Sequence, residues 1–298
     1  MQLTLARPVA DALEAGKPVV ALESTAITHG LPVPQNVKTA LEMEAAVCDE
    51  GAQPATIALL QGRVVVGLDA KQIDTLGKTS PEKVRKCSRR DFPIAIGLGE
   101  TASTTVAGTM IVARQAGIRV FATGGIGGVH RGHPFDISAD LIELGRTPVA
   151  VVCSGPKSIL DLELTREVLE TQGVPVVGFG TDRLPSFISR SSTLPVDVRV
   201  DTVGDAAGII RAQMDMDRPA GILICVPVPA EVALAQDRAE AAIEKANEEA
   251  GRKRLRGSSL TPYLLTRVAE LTGGASLAAN TVLLANNARI AARIAAAL

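Results

Sequence analysis

The sequence predicts an α/β protein, a single three-layer α/β/α domain spanning residues 1–298 around a mixed, largely parallel sheet. Three observations carry that expectation. Short apolar runs ending in small or polar residues recur along the chain, stretches of helical period separate most of them, and no composition break or low-complexity linker divides it. The runs Val19 to Leu22, Ile57 to Leu60, Ile94 to Ile96, Val120 to Ala122, Val149 to Cys153, Val176 to Gly178 and Ile222 to Val226 read as buried strands. Asn36 to Asp49, Thr105 to Gln115, Ser158 to Gln172 and Ala206 to Met216 read as the helices between them. Gln61-Gly62-Arg63 joins two apolar runs as a hairpin would, which makes the expected sheet mixed. Ser158 as N-cap and Gly173 beyond the C-terminus frame one helix, and so place Lys157 at a strand-to-helix turn. Two Ala-rich stretches, Ala230 to Ala250 and Ser276 to Leu298, are expected to be helical, with a turn from Leu271 to Ala275 before the second.

Composition excludes several function classes. Lys plus Arg (31) balances Asp plus Glu (32), so there is no broad electrostatic footprint for nucleic acid or an anionic membrane. With 2% aromatic residues and no Trp, the chain lacks a base-stacking platform. Any phosphate must be held locally by a few donors. Cys48, Cys87, Cys153 and Cys225 are far apart without metal-ligand spacing, and read as buried reduced thiols. No apolar run reaches the roughly 18 residues that a membrane span needs, and the N-terminus has no signal core. A cytoplasmic small-molecule enzyme is the expectation.

In an open α/β sheet ligands gather at the carboxyl ends of strands. The polar residues there are Glu23 in ALEST, the loop GGIGGVHRG from Gly124 to Gly132, Asp136 and Asp140 in FDISAD, and Lys157 in CSGPKSILD. The glycine loop, with His130 and Arg131, fits either a phosphate cradle or a tight structural turn. Gly99 to Thr105, leading into a helix N-terminus, and Ser88-Arg89-Arg90 beside Lys86 are further anion candidates. A lysine nucleophile must be neutral, and at a reference pKa of about 10.4 only about one in a few thousand is neutral at pH 7. Desolvation between a buried strand and the positive end of a helix would favour the neutral amine, which singles out Lys157. Asp136 and Asp140 are spaced to share one side of a helical turn, and one or two carboxylates with water suit Mg²⁺ or Mn²⁺ rather than zinc. Helix capping accounts equally for Asp136. DTVGDAAG, Asp201 to Gly208, is similar to a ribokinase loop, but lacks the glycine before the aspartate.

Taken together, VALESTAITHGLPVPQN, KCSRRD, TTVAGTMIVARQAGIRVFATGGIGGVHRG, FDISADL, KSILDLELT and TPYLLTRVAELTGG occur in one order from about Val19 to Ile290. In that order they resemble the pseudouridine-5'-phosphate glycosidase family. The resemblance implies that Lys157 is a Schiff-base nucleophile and Glu23 a proton donor. It further implies that Lys86, Val106, Ser138, Ala139 and Asp140 contact substrate, and that Asp136 holds manganese, with Mg²⁺ or another divalent ion as substitute. His130 and Asn280 stand in family-like contexts. The implied reaction is reversible cleavage of the carbon-carbon bond between uracil and ribose 5-phosphate, in a homotrimer. Three departures stand out: the loop RGHPFDIS, which carries Asp136, is shorter than the family's usual form and contains Pro134, Pro156 before the lysine biases Gly155 toward extended backbone, and Val226 stands where an asparagine is expected. The competing expectations are an N-ribosyl hydrolase, a ribokinase-like enzyme and a non-catalytic sugar-phosphate binding protein.

Overall fold

The computed structural model describes residues 1–217, 219–255 and 260–298. Its strands are β1 (Leu3–Leu5), β2 (Val19–Leu22), β3 (Gln53–Leu60), β4 (Arg63–Val66), β5 (Arg85–Cys87), β6 (Ala102–Thr104), β7 (Val120–Ala122), β8 (Val129–His130), β9 (His133–Ile137), β10 (Ala150–Cys153), β11 (Leu160–Asp161), β12 (Val176–Phe179), β13 (Val198–Val200) and β14 (Ile222–Cys225). The α-helices are α1 (Arg7–Glu14), α2 (Gln35–Asp49), α3 (Ala70–Lys78), α4 (Phe92–Gly97), α5 (Val106–Ala116), α6 (Ala139–Leu144), α7 (Leu162–Thr171), α8 (Val203–Met214), α9 (Gln236–Arg252), α10 (Leu260–Leu271) and α11 (Ala275–Ala296). The main sheet runs β1-β4-β3-β2-β7-β10-β14-β12-β13, with β6 on β3 and β5 on β6. Its described pairings are parallel except those of β3 with β4 and β6. A small antiparallel sheet, β11-β8-β9, stands apart from it.

The strand alternation explains the layers. In β2, β7, β10 and β14, Val20, Leu22, Val120, Ala122, Ala150, Val152, Ile222 and Ile224 face one core, whereas Val19, Ala21, Phe121, Val151, Cys153, Leu223 and Cys225 face the other. The first core is closed by α2, α8, α9, α10 and α11, and the second by α1, α4, α5, α6 and α7. Both faces of the central strands are therefore apolar, as a largely parallel sheet requires. The β3–β4 hairpin closes with Leu60 opposite Arg63, and Gln61 and Gly62 both take positive φ (51° and 77°), the two-residue turn that matches strand twist.

Four expectations are corrected. Ile94 to Ile96 belongs to α4, not to a strand. Pro93 opens that helix, Phe92 and Ala95 turn inward at helical spacing, and Ile94 and Ile96 are about 40% exposed (41% and 40%). Ser158 does not cap a helix. Asp161 does, accepting the Leu164 N–H at 3.0 Å, and Lys157 lies in a loop leading into β11, without a helix N-terminus behind it. Gly155 is left-handed (φ 78°) despite Pro156, and only glycine fits there, since an added Cβ would also run into the Pro185 carbonyl. Cys48 is exposed, while the other three cysteines are buried. Among the described residues no single helix is long and apolar enough to cross a membrane.

Phe121, at the centre of β7, is the largest fully buried side chain of the second core. Phe121→Ala is expected to cost about 3–5 kcal/mol, read as a lowered urea midpoint at unchanged slope.

Candidate active site

The strand order reverses between β2 and β7, since the chain builds outward on one side through β3 and on the other through β10. Loops diverge at such a point and leave a crevice at the carboxyl ends of the strands. Glu23 immediately follows β2, Thr123 follows β7, and Lys157 comes four residues after β10. Thr123 Oγ1 donates to Glu23 Oε1. The loops after β7 and β10 continue the sheet ladder beyond the strands: Ser154 N–H donates to Gly124 O at 2.9 Å, and Lys157 N–H to Ile126 O at 3.1 Å. The half-buried Lys157 curls back so that Nζ donates to Gly125 O at 2.7 Å.

Burial raises the Glu23 carboxyl above the ordinary range. Asp140 adds to that, while the Lys157 ammonium, the Thr123 hydroxyl and Lys86 oppose it. Burial and the positive charge of Lys157 lower the Lys86 ammonium, with Asp140 and Glu23 opposing. The groups that sense one another electrostatically therefore include four of the residues singled out in the sequence, Glu23, Lys86, Asp140 and Lys157, although they come from four separate segments.

Asp140 binds protein before it binds anything else. Its Oδ1 accepts the Ala107 N–H and its Oδ2 the Gly127 N–H, each at 2.9 Å, joining α6 to the N-terminus of α5 and to the glycine loop. Ser138 caps α6 by accepting the Asp140 N–H at 3.2 Å, Ala139 is its exposed first residue, and Val106 is buried at the start of α5. Gly127 allows this approach, for a Cβ there would meet Ser138 Oγ and lie 2.8 Å from Asp140 Oδ2.

The anion candidates fare differently. The N-terminus of α5 is filled by Asp140 and by Thr105 Oγ1, which accepts the Gly108 N–H at 3.2 Å. Arg89 grips the buried Glu143 with two bonds of 2.8 and 2.6 Å, clamping α6 to the segment after Lys86. Arg131 donates to Leu160 O and Ser158 O at 3.0 Å each and pairs with Glu240, so it braces the loop behind Lys157. Asp201 pairs with Arg199 and takes no part in the crevice. His130 remains among the anion candidates. It is half-buried, with burial, Lys86 and Lys157 lowering its pKa and Asp136 raising it.

Asp136 and Asp140 do not share a helical turn. Asp136 lies half-buried on β9 and Asp140 on α6. Among the described residues no three His, Cys, Asp or Glu side chains group as a metal cage. A single carboxylate suits a largely hydrated Mg²⁺ or Mn²⁺ and is unsuited to a dehydrated zinc site. Beside the cluster lies a cavity of about 290 Å³, lined in part by His29, Ser158, Phe187 and Asn280. Val226 is buried and contributes no polar group.

A family model described as "Indigoidine synthase A like protein" matches residues 8–297. The "Pseudouridine-5'-phosphate glycosidase" of Hahella chejuensis (strain KCTC 2396) is 53% identical over 296 residues, which is 99% of this chain and 97% of that protein. The chain belongs to the pseudouridine-5'-phosphate glycosidase family. A solved structure of the prealnumycin C-glycosynthase AlnA in complex with ribulose 5-phosphate superposes with a TM-score of 0.91 at 40% identity, covering 100% of this chain and 97% of that one. An indigoidine synthase A (IdgA)-like protein from Thermotoga maritima gives 0.88 at 36% identity, over 94% and 93%.

In this family member the sequence reading passed over the residues that hold the crevice together: Thr123, the Arg89–Glu143 pair and Asn287. Asn287 carries a signal, a lone amide on the inner face of an Ala- and Leu-rich helix.

The raised Glu23 carboxyl has a sign that stability measurements read. The folded chain holds this proton more tightly than the unfolded one. The resulting stabilisation is full below the ordinary carboxyl value and is lost as pH rises through the raised folded value. Glu23→Gln is expected to flatten part of the fall in urea midpoint over that window, and parallel profiles for wild type and variant would contradict the assignment.

Proposed function

We propose that the chain cleaves pseudouridine 5'-phosphate reversibly to uracil and ribose 5-phosphate through a covalent adduct on Lys157. The observation that carries the reading is the placing of a half-buried amine and a carboxyl whose pKa burial raises, Lys157 and Glu23, at the carboxyl ends of neighbouring strands where the sheet order reverses. The near full-length identity to a pseudouridine-5'-phosphate glycosidase supports the substrate. The C-glycosynthase likeness supports a crevice suited to sugar-phosphate and carbon-carbon chemistry.

A carbon-linked uracil is a poor leaving group, so direct displacement at C1' is unattractive. Lys157 Nζ attacks C1' as the C1'–O4' bond breaks and opens the ribose ring, and the proton shed by the newly bonded nitrogen passes to O4'. The nitrogen lone pair then forms the C=N bond as the C1'–C5 bond breaks toward the base, and Glu23 delivers the proton that C5 takes up. Water hydrolyses the imine, restores the amine and releases ribose 5-phosphate. Before substrate arrives Lys157 Nζ is held by Gly125 O, a neutral acceptor, so no counter-ion has to be displaced. Lys86 and His130 supply local donors for the phosphate, in keeping with a chain whose overall charge is balanced. In this reading Val106, Ser138 and Ala139 contact substrate where α5 and α6 begin, as the family resemblance implies, and Asp140 fixes the two helix ends together. Asp136 would hold a hydrated divalent cation, Mn²⁺ in this reading, which supplies charge neutralisation and ordered water for the sugar phosphate. Assembly as a homotrimer belongs to the same family-based reading.

Lys157→Ala should lose turnover of pseudouridine 5'-phosphate. Borohydride with ribose 5-phosphate should add the sugar-phosphate mass to the Lys157 peptide of the wild type alone. Near-wild-type turnover in the variant would end the covalent reading, and preference for uridine 5'-phosphate would favour an N-ribosyl hydrolase. Chelation should lower activity, with Mn²⁺ restoring it in the wild type but far less in Asp136→Ala, as followed by uracil release.

A further inference from the structure

Asn287 is fully buried on α11, on the face that packs against the carboxyl ends of β7 and β10. Its Nδ2 donates to Thr123 O at 2.9 Å and to Ser154 Oγ at 3.1 Å, with Gly124 O a further 3.5 Å away. In return, Ser154 Oγ donates to Asn287 Oδ1 at 3.4 Å. An amide with two N–H donors and one acceptor oxygen is the side chain that can serve both loops at once. Close approach of the helix depends on Gly124, where a Cβ would sit 3.1 Å from Leu284 and 3.3 Å from Leu283.

Each bonded residue leads directly to a group of the proposed reaction. Thr123 donates its hydroxyl to Glu23, so fixing the Thr123 peptide fixes the direction from which that carboxyl is held. Ser154 begins the turn that runs through left-handed Gly155 to Lys157. The two loops are also zipped to each other, by Ser154 N–H to Gly124 O and by Lys157 Nζ to Gly125 O. We infer that Asn287 is a positioning residue that sets the separation of Glu23 and Lys157 by pinning the β7 and β10 loops to one helix. This rests on the covalent reading proposed above.

The test compares wild type, Asn287→Leu and Ser154→Ala, with Thr123→Val as the variant that removes only the hydroxyl on Glu23. Wild-type turnover of pseudouridine 5'-phosphate and adduct trapping on Lys157 come first. If these fail, the covalent reading fails before Asn287 is tested. With them in place, Asn287→Leu is expected to lower kcat by about 10²-fold, the scale of a misplacement near 1 Å, while KM stays close to wild type. Loosening Thr123 removes a bond that favours ionised Glu23, so the pH limb governed by that carboxyl should move to higher pH in Asn287→Leu, and also in Thr123→Val. A merely structural amide would lower the urea midpoint and leave kcat per folded molecule and the pH limb unchanged, and that result overturns the inference. Should Asn287→Leu not fold, Ser154→Ala decides. It keeps the Thr123 bond and removes the second anchor, so slowed adduct formation on Lys157 supports the inference and a wild-type trapping rate refutes it.

Discussion

A buried carboxylate with two backbone N–H groups on it organises the crevice. Asp140 closes α6 onto the first turn of α5 through Ala107 and onto the glycine loop through Gly127. Those backbone donors would otherwise be orphaned, one at a helix N-terminus and one in a loop too tight for any partner bulkier than an oxygen. The carboxylate thereby settles where α6 begins, and so where Ser138, Ala139 and the end of β9 lie. It also leaves negative charge inside a region that holds Lys86 and Lys157, which is why those lysines can share so small a space.

Around that anchor polar side chains brace the crevice in pairs. Arg89 and Glu143 lock the far side of α6 to the segment bearing Lys86. Arg131 ties Ser158 and Leu160 to α9, and Asn287 ties Thr123 and Ser154 to α11. Each brace is bonded at both ends, which matters most for the buried Glu143 and Asn287, where a half-satisfied group would cost more than an apolar one. The reacting groups are left with the weaker anchors, one carbonyl for Lys157 and one hydroxyl for Glu23. Supporting side chains are thus rigid while the groups proposed to react keep freedom to change partners.

Much of this was legible in the chain. Apolar runs located the central strands because burial on both faces leaves little choice of residue, and Glu23 and Lys157 were singled out because they follow such runs at the carboxyl ends of strands. The misreadings share a cause. Ile94 to Ile96 is apolar without a sheet neighbour, and one-dimensional patterning cannot show whether a partner strand is at hand. Arg89 and Arg131 look like anion ligands until the fold brings Glu143 and Glu240 to them from 54 and 109 residues away. Gly155 takes a positive φ despite Pro156, and the Pro185 carbonyl, thirty positions downstream, leaves room for glycine alone. Long-range partners set all of these, and no local window contains them.

The ionisation pattern explains why such chemistry belongs at this place in the fold. Both Glu23 and Lys86 are pushed by burial toward their neutral forms, although they carry opposite charge when ionised. In water a carboxyl that keeps its proton beside an amine that gives one up would exchange it at once, since the acid is stronger by about six pKa units. Removing water narrows that gap from both sides, because each charged form loses its hydration. The covalent reading proposed for Lys157 draws on this compromise through its neighbours, a Glu23 carboxyl whose proton is held more tightly and a Lys86 whose charge is weakened. Only where strands end and helices have not yet begun does the sheet offer a pocket dry enough for it and open enough to admit a sugar phosphate.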